Sequence, residues 1–301
     1  MNIQSLSIAV PSGCPNNCKF CVSRMSKIEK NTYINQIEKN KEYRDLYQKD
    51  YINRLAYARD NGCNVILFTG TGEPLMNLDF INMVSDMNKS LDKPFRMIEL
   101  QTSGIGLNDK TLSTLRNHIG ITTISLSLSS LNTNKNAEYN QTPEKLKIDI
   151  DRVCSKIKVY DFNLRLSLNL TDSFSEMYYN EVIDNYSVDD LFRSCKYLGA
   201  DQIIFRKLYK SKDVEIEQNK WIDQHSVHED MLRLIHDYIY IKGNPLERLP
   251  FGAMRYSVDE MSVVLDDDCM SKEVKDSVKY FILRENCKLY TKWDDKGSLL
   301  F

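Results

Sequence analysis

The sequence predicts an α/β fold in which strands alternate with helices around a mostly parallel sheet. Three observations carry that expectation. Asn64-Val65-Ile66-Leu67-Phe68 is an unbroken apolar run with glycines on either side, as a strand covered on both faces requires. Six strand-like segments recur with amphipathic helical stretches between them. The chain's conspicuous motifs each follow directly on a predicted strand, and parallel α/β folds bind ligands at the carboxyl ends of their strands.

In order, residues 4–10 form a short apolar strand, and the polar, Asn/Lys-rich residues 26–39 read as a surface loop. From Lys41 to Asn61 the positions Tyr43, Leu46, Tyr47, Tyr51, Ile52, Leu55, Ala56 and Ala58 keep helical spacing, and Asn61-Gly62 supplies a C-cap. After the second strand come a helix from Phe80 to Leu91, a strand from Met97 to Gln101, a helix from Lys110 to His118 and a strand from Thr122 to Leu128. Pro143 to Lys158 reads as one helix with proline near its first turn. Leu164 to Leu170 alternates with period two, Val188 to Leu198 is helical, and Gln202 to Arg206 makes the sixth strand.

Beyond Arg206 the rhythm changes. Lys210 to Lys220 is charged and reads as an exposed loop, and Trp221 to Ile241 as one amphipathic helix. Past a turn at Gly243-Asn244-Pro245, Met254–Val258 and Met261–Leu265 are expected to pair across Asp259-Glu260. Phe281–Arg284 and Lys288–Trp293 also read as strands, with a turn at Asp295-Lys296-Gly297. Residues 1–206 therefore read as a core, and 207–301 as an extension packed on it, a cap facing the substrate.

The bulk composition narrows the classes. In 301 residues, 42% are apolar and 27% charged, an ordinary globular balance. A formal net charge of -2 argues against a broad nucleic-acid surface. No apolar run approaches the roughly 18–20 residues of a membrane span, and Met1-Asn2-Ile3-Gln4-Ser5 does not open a signal peptide. Eight cysteines are too few for a disulfide scaffold of this size, so a reducing, cytoplasmic setting is expected.

Three of those cysteines, Cys14, Cys18 and Cys21, fall within eight residues as C-x3-C-x2-C. Thiolates so spaced cannot easily bridge one another, but they can hold one iron–sulfur cluster. Three ligands are one short of the usual four, which leaves an iron open to a substrate or cofactor. Structural zinc is the alternative, but it needs a fourth ligand; the next cysteine is the lone Cys63, and the first histidine is His118.

The trio, with Phe20 before its last cysteine, resembles the signature of the radical S-adenosylmethionine (radical SAM) superfamily. Phe68-Thr69-Gly70-Thr71-Gly72-Glu73-Pro74-Leu75 is similar to that family's glycine-rich loop, with Gly-Thr-Gly in place of a plain Gly-Gly pair, as in the rRNA adenine methyltransferases. The resemblance covers about the first two thirds of the chain. It implies a partial (β/α)6 barrel, a [4Fe-4S] cluster on Cys14, Cys18 and Cys21, and S-adenosyl-L-methionine (SAM) as cofactor. By the same carry-over Phe20 leans on the adenine, while the backbone of Gly70, Gly72 and Glu73 receives the methionine amine.

Weaker matches lie on later strands. Thr102 or Ser103 occupies a SAM-contacting position, and Ser127-Leu128-Ser129-Ser130-Leu131 resembles a segment of the molybdopterin-precursor synthases whose first serine, here Ser127, contacts SAM. Arg165 falls where those enzymes place a basic residue near the SAM carboxylate. Asn169 stands where it can reach the ribose. For each, a structural polar contact is the alternative. Arg206 ends its strand at the same face, to meet an anionic group or a neighbouring helix. Cys63, Cys154 and Cys195 read as core thiols. Cys269 and Cys287 are too few for a second cluster, and His225, His228 and His236 are expected on a solvated helix face.

The resemblance implies an enzyme that cleaves SAM reductively to a 5′-deoxyadenosyl radical and takes hydrogen from a substrate, fed by a reductant such as flavodoxin or ferredoxin. A small-molecule or nucleotide-like substrate is expected by elimination. Peptide maturation usually brings a cysteine-rich C-terminal domain, and the RNA methyltransferases use further cysteines, one well upstream of the motif. Activation of a glycyl-radical partner, and a non-catalytic metal-binding regulator, are the other readings.

Overall fold

The computed structural model describes residues 3–25, 49–175, 188–211, 216–249, 252–266, 278, 280–284, 286–293 and 298–300. The expectations placed on residues 26–39, on the start of the 41–61 helix, on Cys269 and on the turn at 295–297 lie outside them.

The first half of the chain contains β1 (Ser5–Ala9), a helix over residues 49–60 (α1), β2 (Val65–Thr69), α2 (Leu78–Lys89), β3 (Met97–Thr102), α3 (Asp109–Thr114) and β4 (Thr123–Leu128). Next along the chain are α4 (Thr133–Tyr139), α5 (Ile150–Val159), β5 (Asn163–Asn169), α6 (Val188–Tyr197) and β6 (Gln202–Arg206). The C-terminal third carries α7 (Glu217–His225), α8 (Glu229–Lys242), β7 (Asn244–Arg248), β8 (Met254–Val258), β9 (Met261–Asp266), β10 (Tyr280–Leu283) and β11 (Leu289–Tyr290).

These strands form one sheet in the order β11-β10-β1-β2-β3-β4-β5-β6-β9-β8-β7. The run from β10 through β1–β6 to β9 is parallel throughout, so the six expected strands are flanked by two more from the residues read as an extension. Its helix-facing side is dry: Ile8, Phe68, Leu100, Leu126, Leu166 and Phe205 are all fully buried. The opposite, inner face is mostly half-buried and largely polar, with Thr69, Gln101, Ser127, Asn169 and Arg206 at its upper end. Period-two alternation thus separates a core from a surface able to receive a ligand.

Residues beyond 206 bring the expected strands at 254–258, 261–266 and 280–283, the last expected strand shrinking to Leu289–Tyr290, and they widen the sheet at both edges. β9 joins beside β6, and β10 beside β1. The hairpin of β8 and β9 turns at Asp259 and Glu260, both with positive φ (48° and 66°), as a tight two-residue hairpin turn requires.

Four details differ from the sequence reading. The single helix over 221–241 is two helices, the first starting at Glu217 within the stretch read as a loop; Ser226 leaves helical geometry to bridge Thr171 while Val227 N donates to Leu170 O. The 143–158 helix starts later, at Ile150, where Asp149 caps it by accepting from Arg152 N. Residues 133–139 form a helix that apolar periodicity does not reveal, since its buried positions are Asn136 and Tyr139. Asn244–Arg248, whose first two residues the sequence assigns to a turn, is an exposed antiparallel strand.

The C-terminal helices are anchored through Phe192 of α6. Its ring lies 5.6 Å from Phe205 of β6 and stacks at 4.6 Å on Tyr238 of α8. Phe192→Ala should therefore cost roughly 3–5 kcal/mol of stability, read as an earlier midpoint in urea denaturation.

Candidate active site

The site begins with how two loops are brought together. β1 and β2 are neighbours, so the segments leaving their carboxyl ends start side by side; Val10 N donates to Thr69 O at 2.7 Å. Glu73 N then donates to Gly13 O at 2.9 Å, and Asn77 Nδ2 to Pro11 O at 2.8 Å. The approach is close enough to require glycine. A Cβ on Gly72 would sit 2.2 Å from Ser12 O and 2.5 Å from Gly13 O, and one on Gly70 would sit 2.7 Å from Val10 O.

The Glu73 side chain faces away from the loop contact and is buried, 3% exposed. Its carboxylate accepts from Thr102 Oγ1 (2.7 Å), Ser103 N (2.8 Å), Ser103 Oγ (2.6 Å) and Leu75 N (3.2 Å). Burial pushes this carboxyl above its ordinary range, while those four hydrogen bonds oppose the rise. Both third-strand candidates, Thr102 and Ser103, thus spend their hydroxyls on Glu73.

The cysteine loop is held from its other side by β4 and α4. Asn17 N donates to Asn140 O (3.0 Å), and Cys18 Sγ lies 3.6 Å from Asn140 Oδ1. Asn140 Oδ1 also accepts from Ser129 Oγ at 2.9 Å, and Asn169 Nδ2 reaches that hydroxyl at 3.4 Å. Ser129 is fully buried; its carbonyl accepts from Thr171 Oγ1 and Ser173 Oγ, and its N–H donates to Asn136 Oδ1. Cys18, Asn140, Ser129 and Asn169 therefore form one hydrogen-bonded string across the tops of β4 and β5.

Cys14 is exposed, and Cys18 and Cys21 are half-buried. Burial, reinforced by the negative charges of Cys21 and Cys14, pushes the Cys18 thiol up to about 12. Burial disfavours bare thiolates at Cys14 and Cys18, a cost that the irons of a bound cluster would offset. Among the described residues no group of three or more His, Cys, Asp or Glu converges tightly enough to chelate a single ion. A cubane makes no such demand, because each thiolate ligates a different iron. The donor set fits the cluster.

The remaining predicted residues divide. Phe20 faces α7, its ring centroid 5.7 Å from that of Trp221. Ser127 is half-buried on the inner face of β4 and carries no side-chain hydrogen bond among the described residues. Arg165 is engaged: it ion-pairs with the buried Glu99 two strands away, and its Nε donates to Gln202 Oε1 at 2.7 Å. Cys63, Cys154, Cys195 and Cys287 are buried within the hydrophobic core. His225 closes α7, His228 caps α8 and His236 lies exposed farther along it, so the three histidines do not share one helix.

Sequence reasoning missed a cluster beside Phe20. Trp221 stacks on His225 at 4.5 Å and meets Tyr139 edge-on at 5.9 Å. Asp172 accepts from Tyr139 Oη and lies 3.0 Å from His225 Nδ1. No spacing announces this group, because its members come from α4, the segment after β5, and α7.

Residues 8–164, just over half of the chain, match the profile of the radical SAM superfamily. The chain belongs to the radical SAM superfamily. It is accordingly an enzyme, and the family's cofactors are a [4Fe-4S] cluster and SAM. A probable dual-specificity RNA methyltransferase RlmN of Chlorobium phaeobacteroides is 26% identical over 126 residues, 40% of this chain and 33% of that protein. The RlmN of Buchnera aphidicola is 31% identical over 108 residues, 34% of this chain and 27% of that protein. The match thus spans about a third or less of these curated relatives' length. Among solved structures, anSMEcpe with bound AdoMet superposes with a TM-score of 0.64 at 13% identity, over 99% of this chain and 77% of that one.

Glu73→Gln should cost about 1–3 kcal/mol, since an amide NH2 would face N–H or O–H groups that now donate to a carboxylate oxygen. Urea denaturation checks this, and Thr102→Val, which removes one donor of four, should cost less.

Proposed function

We propose that this protein binds one [4Fe-4S] cluster through Cys14, Cys18 and Cys21 and acts on a small polar or nucleotide-like molecule by hydrogen-atom abstraction. The observation that carries the reading is the bond from Glu73 N to Gly13 O, which fastens the glycine loop directly to the cysteine loop. A loop so placed has no use in a purely structural metal site. When bound, the cluster supplies an electron to the sulfonium of SAM, the family's route to a 5′-deoxyadenosyl radical.

The protein's own groups then divide the work. Gly70, Gly72 and Glu73 offer backbone to the methionine amine, and Phe20 an aromatic face to the adenine. Ser127 and Asn169 stand free or weakly bonded at the strand ends, able to take cofactor hydroxyls. Thr102 and Ser103 act as positioning residues, fixing the Glu73 carboxylate and with it the loop. Arg165, neutralised by Glu99, serves the inner wall of the sheet rather than a SAM carboxylate. Flavodoxin or ferredoxin is the expected electron donor, and a reducing cytoplasm suits the free thiols.

RNA methylation is the second reading, favoured by the likeness to the RlmN proteins. Against it, the cysteines outside the motif are, among the described residues, buried in the core. Anaerobic reconstitution should load about four irons per chain and give a brown protein that forms 5′-deoxyadenosine from SAM under a strong reductant. Cys18→Ala should lose colour and product together. One zinc and no iron would sink the proposal; stimulation of product formation by RNA, and not by small molecules, would favour the second reading.

A further inference from the structure

The inner face of the sheet carries two arginines, Arg165 low on β5 and Arg206 at the cofactor end of β6, and they are treated differently. Arg165 is neutralised by Glu99 and further held by Gln202. Arg206, at the carboxyl end of β6, makes no side-chain hydrogen bond or ion pair with any described residue, and its Nε is buried without a partner. A buried guanidinium nitrogen with no acceptor is costly unless something else occupies the site.

The surroundings point the same way. Arg206 pairs in register with Asn169, whose side chain reaches Ser129 in the string that ends at Cys18. Its backbone is fixed there, because Leu170 N donates to Arg206 O at 2.8 Å. At the upper end of the inner face Arg206 is left with a guanidinium nitrogen that has no acceptor, which suits a polar ligand's place better than a packed core.

We propose that Arg206 binds a carboxylate or phosphate of the substrate and so holds it over β5 and β6, beside the cluster loop. The substrate is then a small anionic molecule rather than an apolar one or a neutral peptide segment. A guanidinium fork suits this task because it can meet two oxygens of one anion at once. The proposal rests on the radical SAM reading for where reaction occurs, but its test does not.

Titration calorimetry with inorganic phosphate, on reconstituted wild-type protein, Arg206→Gln and Arg206→Lys, reads the site directly. Phosphate affinity should fall about tenfold or more in the Gln variant and less in the Lys variant, which keeps the charge and loses the fork. SAM affinity, measured on the same samples, should stay within about twofold. The Lys variant alone decides the matter if the Gln variant does not fold. Phosphate affinity unchanged in the variants, or no phosphate uptake by wild type, overturns the proposal. So does a fall in SAM affinity that matches the fall for phosphate, since Arg206 would then serve the cofactor's carboxylate. Phosphate held through Arg206 by a chain that takes up no iron would retire the radical SAM reading and leave this one standing.

Discussion

The site depends on one close approach: the backbone of Gly72-Glu73 against the carbonyls of Ser12 and Gly13. The distance is set by the absence of a side chain at position 72 and locked by one backbone hydrogen bond. The Glu73 carboxylate then nails the far side of the loop to the end of β3. An acidic side chain sealed from water would be a burden elsewhere in a core. Here four donors satisfy it, and in exchange the loop's backbone is presented in a single conformation.

A second clamp works from the opposite side. The asparagines of α4 and the loop after it replace the apolar contacts that usually seat a helix on a sheet. Asn136 and Asn140 hold Ser129, and through Asn140 the cysteine loop is tied to the tops of β4 and β5. Elements far apart in sequence thereby hold one short loop from both sides. Each functional group rests on the rigid end of a parallel strand, which is why the arrangement is compatible with chemistry that needs a fixed geometry.

Much of this was legible in the amino-acid order. The fully apolar strand at 64–68 and the alternation at 164–170 reported their burial directly, and the two motifs fell at strand ends as the topology requires. What escaped was carried by polar residues. The helix at 133–139 buries asparagine and tyrosine, so apolar periodicity could not find it. The break at Ser226 comes from a tertiary bridge to Thr171, which no local pattern encodes. The partners of Thr102, Ser103 and Arg165 were equally hidden, since strand position fixes which face a side chain takes but not whom it meets. The cluster of Tyr139, Asp172, Trp221 and His225 joins three separated segments and has no signature in one dimension.

The central claim is that three thiolates leave one iron free and that the neighbouring glycine loop seats SAM against it. Electron paramagnetic resonance of the reduced, reconstituted protein tests this most directly. The expected result is a [4Fe-4S]+ signal whose g-values change when SAM is added, as they would if the amine and carboxylate of SAM reached an iron that no cysteine holds. A signal indifferent to SAM would mean that a fourth protein ligand closes the cluster, and would contradict the claim.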